Sequence, residues 1–179
     1  MNTSLQFTLN GVGIKLANAK DQDGHDRTLL DVLRNELGLK ATRLGCGQGQ
    51  CGACTVLQDS KAILACEVWM SDLTGANITT LEGLNHHGVP HALQAAFIDQ
   101  QAAQCGFCTS GLIMRSAALL QQHEKPTRAQ IEDALKDNLC RCGVHERVIQ
   151  AVLLASGQGS GLSKHLSTSA PPAPNNNSF

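Results

Sequence analysis

Tyrosine is absent from the 179 residues, tryptophan occurs once, and four phenylalanines make up the rest of the aromatic complement. A chain of this length can bury a real core, but with so few large rings two separate halves would each be marginal and in need of a staple. Charge of one sign is missing too: 14 Lys and Arg stand against 15 Asp and Glu, for a net −1. That balance offers no electrostatic case for nucleic acid or an anionic membrane. No apolar run approaches the length of a membrane span. The opening MNTSLQFTLN carries neither the basic and apolar segments of an export signal nor a twin-arginine pair, which predicts a cytoplasmic start. A periplasmic or membrane-associated site would then be reached only through a partner subunit. No catalytic triad, phosphate loop or carboxylate pair stands in a context that would let this chain do bond chemistry on a substrate.

What the chain has instead is 8 cysteines and 17 glycines. In a reducing compartment such cysteines are better read as metal ligands than as disulfides. The pattern around them divides the chain. Leu5, Phe7 and Leu9 alternate with polar residues, Asn10-Gly11 follows, and Val12, Ile14 and Leu16 alternate again, which predicts a hairpin. Thr28 and Asp31 then form a capping-box pattern ahead of Leu30, Leu33 and Leu37 on one helical face, with Gly38 suited to the helix end. CTVLQ and AILACEV read as strands joined near Asp59-Ser60, and NITTLEGL as a further strand. Residues 3–81 are thus expected to form a compact α+β unit.

From Pro90 onward the apolar spacing is helical. Pro90 is expected at the first position of a helix with Leu93, Ala96 and Phe97 inward. A second helix is expected over 109–123 with Leu112, Ser116, Leu119 and Leu120 inward, and Thr127 with Gln130 repeats the capping box. Ile131, Leu135 and Leu139 mark a third stripe, and Val144, Val148, Ala151, Val152 and Ala155 a fourth. The expectation is an all-α four-helix bundle over 91–155, a linker over 82–90, and a disordered tail over 156–179 rich in Ser, Gly, Pro and Asn. His86 and His87, in the linker, read as solvated rather than ligating.

Cys46, Cys51 and Cys54 have the C-x4-C-x2-C spacing of a plant-type [2Fe–2S] loop, and Cys66 follows eleven residues later. Gly45, Gly47, Gly49 and Gly52 are expected to take positive φ and let their N–H groups face the sulfurs. The hairpin after Cys54 would fold the chain back and return Cys66 as the fourth ligand. In the second half QCGFCTSG supplies Cys105 and Cys108, and NLCRCG supplies Cys140 and Cys142. Each pair precedes a predicted helix, whose N-terminal dipole would favour an anionic centre. Zinc and an iron–sulfur cluster are comparable readings for this second set alone. For the first loop zinc is the weaker reading, because a zinc knuckle rarely needs so glycine-rich a wrap. Gln104, beside Cys105, could be an ordinary helix-end residue.

Taken in order, GCGQGQCGACTV, QCGFCTSG and NLCRCG resemble the small iron–sulfur subunit of the molybdenum hydroxylases, the xanthine dehydrogenase family, over residues 5–155. The resemblance implies a β-grasp, plant-ferredoxin-like domain holding one [2Fe–2S] cluster on Cys46, Cys51, Cys54 and Cys66. It implies a helical domain holding a second on Cys105, Cys108, Cys140 and Cys142. It also implies a large partner subunit with a molybdopterin cofactor, which Gln104 and Cys142 would face. Electrons would pass through the helical-domain cluster, then the ferredoxin-like one, to an FAD or cytochrome c subunit. Ser110 stands where the family commonly has Pro, and GVHER, residues 143–147, where it commonly continues Thr-Gly-Tyr. With these departures the chain resembles the isoquinoline and nicotinate dehydrogenase branch more than xanthine dehydrogenase, and the resemblance implies an N-heteroaromatic compound or an aldehyde as the substrate class. A free-standing ferredoxin-like carrier and a zinc-held interaction module are the rival readings.

Overall fold

A computed structural model describes residues 5–17, 19–85 and 88–159. His86, His87 and the expected tail from residue 160 onward lie outside the described residues. The chain is α+β. Strands β1 (Leu5–Leu9) and β2 (Val12–Leu16) form the expected hairpin. Asn10 and Gly11 have φ of 51° and 80°, the pair of left-handed residues that a two-residue turn between twisted strands requires. Helix α1 begins as Leu29–Asp31 and widens into a π turn over Val32–Glu36. Thr28 caps it by accepting from the Asp31 N–H at 3.2 Å, as its spacing predicts. Leu29, Leu30, Val32 and Leu33 are all buried beneath it.

Strands β3 (Thr55–Gln58) and β4 (Lys61–Leu64) pair antiparallel across the Asp59-Ser60 turn. Strand β5 (Asn77–Thr79) enters the middle of the sheet, giving the order β2-β1-β5-β3-β4. It runs parallel to β1 and antiparallel to β3. The parallel pairing is possible because α1, the cysteine loop and the second hairpin together form the long crossover that parallel neighbours need.

Four helices follow: α2 (Ala92–Asp99), α3 (Thr109–Gln122), α4 (Arg128–Leu135) and α5 (His145–Ala155). Thr127 and Gln130 form the predicted capping box on α4. On α2 the cap is His91, whose Nδ1 accepts from the Leu93 N–H at 3.2 Å, so Pro90 lies ahead of the helix rather than at its first position. Leu112, Ser116, Ile131, Leu135, Val148 and Val152 are buried, whereas Leu139, expected on the inward stripe, is 60% exposed because α4 has already ended.

The two halves are packed against one another. Leu57 of β3 and Leu84 belong to the same buried cluster as Leu93, Leu112, Ile131 and Val148. Helix α3 approaches so closely that a Cβ on Gly111 would collide with the Gly52 carbonyl and stand 3.1 Å from the Ala53 Cα. Part of the expected linker is pinned as well. Residues Leu81–Leu84 form a 3₁₀ turn, and Glu82 accepts from the Ala41 N–H at 3.0 Å. At the other end, Gln158 donates to the Pro126 carbonyl at 3.0 Å, so the first residues of the expected tail close against the α3–α4 connection.

Candidate metal centres

The first cysteine loop winds between α1 and β3. Gly47, Gly49 and Gly52 hold φ near +70° as the loop reading expects, but Gly45 does not, and its need for glycine is spatial. A Cβ there would stand 2.6 Å from the Cys51 Sγ. Toward cysteine sulfur the Gln48 and Gln50 amides donate to the Cys46 Sγ at 3.5 and 3.2 Å, and the Cys46 amide donates to the Cys51 Sγ at 3.3 Å. Gln48 and Gln50 each follow a positive-φ glycine, which turns the next peptide inward. The Gln48 N–H, helped by the Gln50 N–H and the Cys51 thiol, lowers the Cys46 thiol to about 7. Burial pushes the Cys54 thiol up to about 12, where it pairs with the Cys66 thiol delivered by the β3–β4 hairpin.

The second set is assembled from two separated segments. Cys108 stands at the N-terminal cap of α3, and Cys105 is exposed just before it. Cys140 and Cys142 lie between α4 and α5. The Cys105 thiol pairs with that of Cys142, and Cys108 with Cys140. Cys105 is lowered, first by the Phe107 N–H and then by the Cys142 thiol. Burial pushes Cys108 up to about 12. Burial also works against ionisation of Cys140, yet the N–H of Val144 and the Cys108 thiol outweigh it and leave Cys140 lowered. Cys142 is raised: the Cys105 N–H favours its thiolate, but the Cys105 thiol, burial and neighbouring charge prevail. Each pair in this set therefore holds one lowered and one raised thiol. Four adjacent thiolates repel, and a positive metal centre is what allows all of them to ionise together.

The geometry separates the two metals that suit such soft donors. A single zinc holds four sulfurs at the corners of one tetrahedron, with edges of about 3.8 Å. Among the described residues, the one trio of His, Cys, Asp or Glu ligand atoms within 4.8 Å of one another is Asp21, Asp23 and His25, on an exposed turn, and no three cysteine sulfurs draw that close. The thiols gather instead as Cys46 with Cys51, Cys54 with Cys66, Cys105 with Cys142, and Cys108 with Cys140. Two pairs per site fit a centre with two irons, each taking one pair. Both sites therefore fit [2Fe–2S].

Gln104 is exposed beside Cys105, and Cys142 is half-buried. Phe107, 45% exposed between Cys105 and Cys108, carries the Arg43 guanidinium 5.4 Å from its ring centre. The pattern of spacing missed this contact and one other. The Cys51 carbonyl accepts from the Leu139 N–H at 3.0 Å, joining the two cysteine segments directly.

These features define a protein of two [2Fe–2S] clusters. Residues 7–80 match the 2Fe-2S iron-sulfur cluster binding domain, and residues 80–153 match the [2Fe-2S] binding domain. The chain belongs to the small iron–sulfur subunits of the molybdenum hydroxylases, electron-transfer components of oxidoreductase complexes. It is 44% identical over 156 residues to one of the subunits of nicotinate dehydrogenase from Pseudomonas putida, covering 87% of this chain and 96% of that one. It is 40% identical over 156 residues to the alpha subunit of isoquinoline 1-oxidoreductase from Brevundimonas diminuta, covering 87% and 99%. The fold superposes on aldehyde oxidoreductase from Desulfovibrio gigas with a TM-score of 0.79 at 37% identity, covering 87% of this chain and 17% of that longer one. Against quinoline 2-oxidoreductase from Pseudomonas putida 86 the TM-score is 0.74 at 31% identity, covering 88% and 97%. Among the described residues no helix is long and apolar enough to cross a membrane.

Proposed function

We propose that this chain carries electrons out of a molybdopterin-bearing large subunit that hydroxylates an N-heteroaromatic compound of the nicotinate or isoquinoline kind. The observation that carries the reading is the presence, in one packed body, of two four-thiol sites each arranged as two close pairs. Cys46, Cys51, Cys54 and Cys66 hold the first cluster, and Cys105, Cys108, Cys140 and Cys142 the second. Each bound cluster supplies one reversible one-electron step, so two in series can hold the pair released by a two-electron oxidation.

Electrons enter at the helical half. Cys105 and Gln104 are exposed there and Cys142 is half-buried, so this edge is open to the large subunit. Gln104 offers an amide able to donate and accept hydrogen bonds to the pterin, and Cys142 links that contact to the site behind it. The four helices α2–α5 act as a bundle whose α3 also covers the sheet. Electrons leave from the ferredoxin-like half to an FAD or cytochrome c subunit. The complex works in the cytoplasm unless a partner carries it out.

Protein isolated without oxygen should contain about four irons and about four acid-labile sulfides per chain and give two distinct [2Fe–2S] EPR signals on reduction. Stoichiometric zinc without labile sulfide would overturn the reading. Gln104→Ala should keep both signals while slowing reduction of the sites by substrate in the complex. Unchanged reduction would remove the role given to Gln104.

A further inference from the structure

The contact between the two cysteine segments is built around Asn138, two residues before Cys140 and only 2% exposed. Its Nδ2 donates to the Gly52 carbonyl at 3.1 Å, and its own N–H donates to the Leu135 carbonyl at 2.9 Å, at the end of α4. The Gly52 carbonyl also accepts from the Thr55 Oγ1 at 2.7 Å, and Gly111 of α3 closes its other side. Gly52 has φ +70°, and a Cβ there would stand 2.7 Å from the Asn138 Cγ and 3.1 Å from its Cα. The amide is held in one orientation, since its oxygen turned toward the Gly52 carbonyl would set two acceptors against each other. Among the described residues, the Asn138 Oδ1 itself is buried without a partner. Burying an acceptor unpaired is costly, and here it accompanies a donor placed beside the Leu139–Cys51 contact between the two segments.

We infer that Asn138 is a positioning residue for electron exchange between the two sites. By fixing the Gly52 peptide it holds the preceding Cys51 carbonyl against the Leu139 N–H. The path from the Cys51 thiol to the Cys140 thiol then crosses a single hydrogen bond, Cys51 C=O to Leu139 N–H, with covalent bonds on either side. One electron leaves the helical-half site as one arrives at the ferredoxin-like site; no bond forms or breaks and no proton moves. The inference rests on the two-cluster reading above.

The test uses the holoprotein in its complex, with Asn138→Ala and Asn138→Asp. The first removes the donor, and the second keeps the shape but faces the Gly52 carbonyl with an acceptor. Both should retain full iron, yet electron equilibration between the sites after pulsed reduction should slow by roughly tenfold, the weight of one buried hydrogen bond. Iron at the ferredoxin-like site, across the contact, should also become the more easily extracted by chelator. Equilibration at the wild-type rate in both variants overturns the inference. So does iron loss confined to the helical-half site, which would mean that Asn138 only props its own segment. Failure of the two-cluster reading is separate, because it would appear as missing iron in the unmutated protein.

Discussion

In the ferredoxin-like half three thiols come from a single loop of nine residues, 46–54, turned by left-handed glycines and stitched to sulfur by its own amides. In the helical half the thiols arrive from two segments separated by α3 and α4, and it is packing, not one wrapping loop, that brings them together; burial, thiol–thiol pairing and the nearby Phe107 and Val144 amides decide their ionisation. The first site is thus specified by backbone conformation and the second by packing. The loop site should respond most to added side-chain bulk at its glycines, and the packed site most to lost core volume.

The comparison is broken most forcefully at a ligand. Cys51→Ser should strip the ferredoxin-like cluster and loosen that half, because the metal-bound state is part of its folding free energy. Loss of one of the two EPR signals, with about half the iron remaining, is the expected result, and retention of both would refute the ligand assignment. Next in size is the core of the other half. Ile131 is fully buried on α4, so Ile131→Ala should cost about 2–5 kcal/mol by leaving a cavity. In urea it should release the helical-half cluster first, whereas simultaneous loss would mean that the two sites do not differ in this way. Gly45→Ala sharpens the other arm. Its added methyl meets the Cys51 sulfur, so iron retention should fall at the ferredoxin-like site while the core of the helical half is untouched.

The smallest effect concerns the helical surface alone. The Arg128 guanidinium, with Gln150, holds the exposed Glu146 carboxyl down at about 2. A depressed carboxylate contributes stability above its usual value, which is lost as pH falls toward the folded value. The small difference in urea midpoint between the wild type and Glu146→Gln should therefore be present at pH 6 and close between about pH 4.5 and 2, and salt should shrink it. A difference that persists at pH 2 would exclude the pair as its source.

The elements most readable in the chain are those whose signal is local. Asn10-Gly11 determines its hairpin, and Thr28 and Thr127 cap the helices they precede. The cysteine spacing pointed to both sites for the same reason, since Cys46, Cys51 and Cys54, Cys105 and Cys108, and Cys140 and Cys142 each follow one another within two to five residues. What could not be read depends on partners distant in the chain. The parallel pairing of β1 with β5 follows from where the second hairpin lands. Leu139 fits a helical stripe by number, yet α4 stops before it and its backbone turns to Cys51 instead. Gly45 looks like its neighbours, although its reason is a sulfur atom and not a dihedral angle. One clue was present and unused: a glycine inside a helix, Gly111, is costly unless another backbone comes close.

That close approach bears on how the molecule could be divided. Because Leu57 of β3 takes its place among the side chains of α2, α3 and α5, the boundary at residue 80 is a join in the chain and not in the solid. A fragment ending there would leave β3 with a bare greasy flank and the Gly52 peptide facing water, and should precipitate or recruit the missing piece. Supplied as two separate polypeptides, the halves should therefore reassociate.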